Sequence, residues 1–180
     1  DQLINQALKF HSQGKILEAT KYYQNFINQG FTDHRVFSNY GVILKDLGNL
    51  QEAEISTRKA IELNPDFGQA HSNLGYILLR LGKLQEAEVS TRKAIELNPD
   101  CAGAYSNLGI ILKELNKRQE ADFNLRKALK LNPSLVNAAW SLYGLSNNLQ
   151  EAEERINQCL KIDKNYLQAK LTLSSLKFHQ

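Results

Sequence analysis

The chain has 180 residues, with 22 lysines and arginines against 19 aspartates and glutamates, a formal charge of +3. Basic residues scattered along its length do not make the concentrated patch that holds nucleic acid, so no nucleic-acid partner is expected. Two distant cysteines, Cys101 and Cys159, exclude a disulfide framework and fit a reducing, cytoplasmic setting, and no apolar run approaches the roughly 20 residues of a membrane span.

In chain order, residues 1–33 form a first unit in which Ala7, Phe10, Gly14, Ala19, Tyr23 and Phe26 recur at helical spacing and Phe31-Thr32-Asp33 serves as connector. Three closely related blocks follow, 34–67, 68–101 and 102–135, and the first two of these agree at about two thirds of positions. Each reads as a helix, a tight turn and a second helix, with Gly82, for example, separating the run Leu74, Leu78, Leu81 from the run Ala87, Ala94, Leu97. Pro65, Pro99 and Pro133 recur at intervals of 34 and bias Asn64, Asn98 and Asn132 away from helical angles, which ends each second helix. A shortened fifth unit, 136–166, has lost residues around Ser146-Asn147-Asn148, so its first helix should be short. A final helix over 167–178 carries Leu167, Leu171, Leu173, Leu176 and Phe178 around its circumference where a terminal cap should be polar. Either the native chain continues into further structure or two copies meet there as a homodimer. The chain begins at Asp1 and contains no methionine, which reads as a segment excised from a longer protein.

Small residues recur where two helices must cross closely: Gly41, Gly75 and Gly109 in the first helices, then Ala53, Ala87 and Ala121, and Ala60, Ala94 and Ala128, in the second. With Leu74-Gly75, Leu78, Ala87, Ala94 and Pro99 in these places, the chain resembles the tetratricopeptide repeat family. It departs from the family at the aromatic of the second helix, where Thr57, Thr91 and Leu125 stand and only Tyr23 keeps a ring. The resemblance implies an all-α, right-handed α-solenoid of antiparallel helix pairs, whose first helices line a concave wall and whose business is to hold protein partners.

On that wall one helical face collects Arg35, Asn39, Val42 and Asp46, then Gln69, Asn73, Tyr76 and Arg80, then Gly103, Asn107, Ile110 and Glu114, with Asn5, Leu8 and Ser12 extending the row. A carboxamide donates to a carbonyl and accepts from an amide, the pair that an extended peptide backbone offers. The row is similar to the asparagine ladder of O-linked N-acetylglucosamine transferase repeats, and Asn39, Asn73 and Asn107 match it. That likeness implies that a substrate polypeptide is held by its main chain, with Leu8, Val42, Tyr76 and Ile110 adding apolar contact. The family's chaperone-tail clamp is not matched, because Ser38, Gly103 and Asn107 occupy its basic places. A mixed groove, Arg35 and Arg80 against Asp46 and Glu114, favours a roughly neutral extended segment over a strongly acidic one.

Nothing in the sequence is arranged for catalysis. His11, His34, His71 and His179 show no metal-binding spacing, no glycine-rich phosphate loop occurs, and neither cofactor nor metal is expected. Glu52 with Glu54 and Glu86 with Glu88 stand two apart, point to different sides of a helix and read as solvated faces. Tyr22, Tyr23 and Trp140 read as packing residues. The expectation is a protein-interaction scaffold that is not itself an enzyme. Its alternative is a substrate-recruiting or dimerising arm of a larger transferase whose catalytic domain lies outside this chain.

Overall fold

A computed structural model describes residues 2–178, with side chains described through Leu176; His179 and the side chain of Phe178 lie outside the described residues. Eleven α-helices and no strand occur among them, and they divide after Leu97 into two compact units. The first unit holds α1 (Gln2–Ser12), α2 (Ile16–Asn28), α3 (His34–Asp46), α4 (Leu50–Leu63), α5 (Gly68–Arg80) and α6 (Leu84–Leu97). The second holds α7 (Ala102–Glu114), α8 (Arg118–Leu131), α9 (Val136–Tyr143), α10 (Leu149–Ile162) and α11 (Leu167–Phe178). In each unit consecutive helices pair as hairpins, α1 with α2 through α5 with α6, then α7 with α8 and α9 with α10.

Left-handed residues turn the hairpins. Gly14, Gly48 and Gly82 have φ of 70, 85 and 74°, and Asn116 takes the corresponding place with φ 60°. The amides of Asn49, Lys83 and Lys117 then reach back to the carbonyls of Leu44, Leu78 and Leu112 at 2.8, 2.9 and 2.8 Å, which satisfies acceptors that the helix end leaves open. A Cβ on Gly82 would meet nothing within 4 Å, so replacing it tests conformation alone. Gly82→Ala should cost about 1–2 kcal/mol, the left-handed penalty of an L-residue, read as a lower guanidinium midpoint.

Between hairpins the asparagine of each Asn-Pro pair does more than stop a helix. The Oδ1 atoms of Asn64, Asn98 and Asn132 accept the amides of Asp66, Asp100 and Ser134 at 3.2, 3.2 and 3.0 Å. The side chain thus caps the turn that the proline ring imposes on the backbone. Asp163 makes the same bond to the Asn165 amide, 2.8 Å, with no proline present.

The glycines of the first helices sit where the partner helix leaves no room. A Cβ would lie 2.4 Å from Thr57 Oγ1 at Gly41, 2.0 Å from Thr91 Oγ1 at Gly75 and 2.5 Å from Leu125 Cγ at Gly109. Thr57, Thr91 and Leu125 are all fully buried. The two threonine hydroxyls donate to the carbonyls of Ala53 and Ala87 at 2.7 Å, so their burial strands no donor. Where the sequence keeps a ring, Tyr23 is fully buried in a core with Ile4, Ala7, Phe26, Val36 and Ile43.

In the second unit, α9 has eight residues against thirteen in α7. A reciprocal cap follows it: the Asn148 side chain accepts the Glu151 amide at 2.9 Å, and the Glu151 carboxylate accepts the Asn147 amide at 2.8 Å. Trp140 stacks on Tyr143 with ring centres 4.8 Å apart and meets Tyr166 edge-on, beside a core of Ala139, Ile156, Cys159 and Ala169. Leu173 and Leu176 pack on that core, whereas Leu167 and Leu171 are exposed. Burial pushes the Cys159 thiol up to about 11, so it is inert at neutral pH.

Candidate functional site

In the first unit α1, α3 and α5 carry Asn5, Asn39 and Asn73 at matching places, Asn5 exposed and the other two half-buried. Asn73 is already engaged in the fold. Its Nδ2 donates across to Ser38 Oγ on α3 at 3.4 Å, and its Oδ1 accepts from Gln69 Nε2 at 3.1 Å. Each end of the carboxamide keeps one hydrogen and one lone pair for a further partner. Asn39 lies beside the Tyr23 hydroxyl, which His11 Nδ1 approaches at 3.3 Å from the other hairpin helix. Burial raises the Tyr23 phenol above its ordinary range, and the nearby Asn39 carboxamide offsets part of that rise.

The charged and apolar members of the row divide similarly. Arg35, exposed on α3, is tied to Asp33: its guanidinium lies 2.7 Å from the carboxylate that also caps the helix through the Arg35 amide at 2.8 Å. The Arg35 bonds hold the Asp33 carboxyl below its ordinary value. Tyr76 is gripped by cations, with Lys45 Nζ 5.3 Å from its ring centre and Arg80 at 5.9 Å, and Arg80 donates to its hydroxyl at 3.1 Å. Leu8, Val42 and Tyr76 are half-buried and Gln69 is exposed. In the second unit Asn107 and Ile110 are half-buried on α7, and Gly103 faces open space. Among the described residues, no group of three or more His, Cys, Asp or Glu could hold a metal ion, and no helix is long and apolar enough to cross a membrane.

Glu54 is not a solvated carboxylate: it is 9% exposed, lies 2.8 Å from Lys83 Nζ and 2.9 Å from Arg58, and Arg58 continues to Glu86 at 2.5 Å. The two-residue spacing does separate Glu52 from Glu54, but Glu54 pairs with Arg58 one turn on and with Lys83 from the loop before the next helix, and no pattern within one helix reveals the second partner. Burial pushes the Glu54 carboxyl up, the hydrogen bonds from Lys83 and Arg58 outweigh it, and the net shift is downward. A carboxyl lowered in the folded state contributes stability above its ordinary pKa and loses it as pH falls through the folded value. Wild type should therefore lose stability to acid below about pH 4.5 more steeply than Glu54→Gln, as followed by thermal melts across pH 3 to 7.

Compared with known proteins, three tetratricopeptide repeat profiles match residues 34–67, 68–101 and 102–135, more than half of the chain. Among solved structures it is similar to TTC0263, a thermophilic tetratricopeptide protein of Thermus thermophilus, at 17% identity over 98% of both chains with TM-score 0.75. It is similar to YrrB, described as having an unusual peptide-binding site, at 19% identity over 94% of this chain and 89% of that one, TM-score 0.74. A third likeness is to the APC/C hetero-tetramer Cut9-Hcn1, at 19% identity and TM-score 0.84 over 94% of this chain but 35% of that one. No curated protein matches in sequence. The repeats, their crossings and their turns define a helical-repeat scaffold for protein–protein contacts. The chain belongs to the tetratricopeptide repeat family.

Proposed function

We propose that this scaffold holds an extended polypeptide segment along the face of its first helices, read mainly through the segment's backbone. The observation that carries the reading is the half-buried Asn73 carboxamide, held by Gln69 and Ser38 yet with a donor and an acceptor still to offer. An amide fixed in place before binding loses little conformational freedom when a peptide bonds to it. Asn39 lies beside the buried Tyr23 hydroxyl, and α7 carries Asn107 on the second unit. Val42, Tyr76 and Leu8 lie beside the first unit's asparagines and Ile110 beside Asn107, where each supplies apolar contact. Arg35 belongs to the local Asp33 pair and adds little charge to the row. Gln69 acts as a positioning residue for Asn73, and Arg80 steadies Tyr76.

At a net hydrogen-bond value of about 0.5–1.5 kcal/mol each, the three asparagines supply a few kcal/mol, so micromolar binding draws on the apolar contacts too. The test is capture of partners from the source lysate by wild type and by Asn39→Ala/Asn73→Ala/Asn107→Ala, with circular dichroism on both. Partners lost by the folded triple variant support the row, whereas partners retained equally by both would sink it.

A further inference from the structure

The second helices of the first unit are latched unevenly. Between α4 and α6 the gap is bridged by Arg58 to Glu86 at 2.5 Å, and Glu54 is held by Lys83 from the loop before α6 at 2.8 Å. The positions that would build the same latch between α2 and α4 lie 34 residues earlier: Gln24 for Arg58, Thr20 for Glu54, Asn49 for Lys83 and Glu52 for Glu86. Of the four charges only Glu52 survives. Gln24 turns to the Tyr40 hydroxyl at 2.9 Å, Thr20 bonds its own helix at Ile16, and Glu52 has no hydrogen bond or ion pair among the described residues.

The unlatched gap is an apolar cleft of about 470 Å³, within the size range of specific pockets. Ile27 of α2, Phe37, Tyr40 and Leu44 of α3, and Ile55 of α4 form its walls. Ile55 is 69% exposed although it stands against other apolar residues. At the rim, Lys59 is already neutralised by Glu62 at 2.6 Å, so the cleft presents an apolar floor and one uncompensated carboxylate, Glu52. Tyr40 marks the site in the sequence: the corresponding Leu74 and Leu108 are buried at 3% and 2%, while Tyr40 stays half-buried with its hydroxyl at the edge.

We propose that this cleft docks a second protein segment, distinct from the one on the asparagine row, that carries a large apolar side chain beside an arginine or lysine. The apolar side chain fills the space between Ile27 and Ile55, and the cation takes the place at Glu52 that Arg58 takes at Glu86. Pairing with a carboxylate at the rim orients the segment and selects its charge more than it adds affinity.

The test is selection of a phage-displayed random peptide library on the full chain, followed by titration of one enriched synthetic peptide. Enriched sequences should place Arg or Lys next to Leu, Ile, Phe or Trp. The peptide should lose about tenfold or more in affinity on Ile55→Asp and several-fold on Glu52→Lys, with Asn39→Ala/Asn73→Ala unchanged. Replacing the peptide's basic residue by glutamate should restore binding to Glu52→Lys. Ile55 is exposed, so its substitution leaves the fold intact, and circular dichroism checks this. The proposal is overturned by no enrichment, by enriched peptides that lack a basic residue, or by peptides that bind Ile55→Asp as well as wild type. Peptides lost only by the asparagine variant also overturn it. A concentration-dependent dimer abolished by Ile55→Asp would assign the cleft to a second copy and overturn it as well.

Discussion

Gly75→Ala should destabilise the first unit by about 3 kcal/mol, whereas Gly103→Ala should stabilise the second by about 0.5 kcal/mol. The same chemical change is made in two helices, and only the surroundings differ. At Gly75 the new methyl would fall 2.0 Å from Thr91 Oγ1 and 3.2 Å from Thr91 Cβ, with the Ala87 carbonyl at 3.4 Å behind them. Thr91 cannot swing clear, because its hydroxyl is bonded to that carbonyl at 2.7 Å and the side chain is fully buried. α5 and α6 must move apart, and every contact between them weakens. At Gly103 nothing lies within 4 Å, so alanine adds no clash and removes some of the freedom that glycine keeps in the unfolded chain. Adding Thr91→Ala to Gly75→Ala removes the closest atom and should recover more than half of the loss. Guanidinium unfolding of wild type and the three variants measures this, and equal destabilisation by Gly75→Ala and Gly103→Ala would refute the close-crossing account.

The all-helical repeat fold was legible because it rests on local signals that recur. Each left-handed turn sits on a glycine or, at Asn116, on the non-glycine residue that best tolerates it, and each close crossing sits on Gly41, Gly75 or Gly109. The asparagine row was legible as a face but not as a bonding pattern. That Asn73 reaches Ser38 depends on how neighbouring hairpins stack, and no spacing within one helix encodes it. The Glu54 cluster was missed for the same reason, since Lys83 arrives from the next hairpin. The cleft beneath Tyr40 had a visible signal, one aromatic where the neighbouring repeats carry leucine. Its meaning depends on Gln24 and Thr20 standing in the places of Arg58 and Glu54, and so on a comparison of two junctions rather than of two residues.

Arg155→Met should cost the second unit about 2–3 kcal/mol, and Arg155→Lys nearly as much. Arg155 is 8% exposed on α10, and its guanidinium joins three acceptors from three places: the Leu142 carbonyl near the end of α9, Asp122 Oδ1 of α8 at 3.0 Å, and the Glu151 carboxylate one turn earlier in α10. The eight-residue α9 ends without a left-handed glycine, and its Leu142 carbonyl accepts the Leu145 amide at 2.9 Å together with the Arg155 guanidinium. Methionine fills the volume but takes a charged donor from the Leu142 carbonyl, which keeps the Leu145 amide. The carboxylates are hurt less, because Asp122 keeps Arg126 at 2.6 Å, Glu151 keeps the Asn147 amide at 2.8 Å, and water reaches both. That retained company keeps the expected cost below the 3–5 kcal/mol typical of breaking a fully buried pair. A lysine ammonium is a point charge that cannot span acceptors arranged for a planar fork, so restoring the charge restores little. Hydrogen exchange on Arg155→Met should show faster exchange in α9 and α10 while α1 to α6 keep wild-type protection, and uniform loss across the chain would contradict a latch local to the second unit.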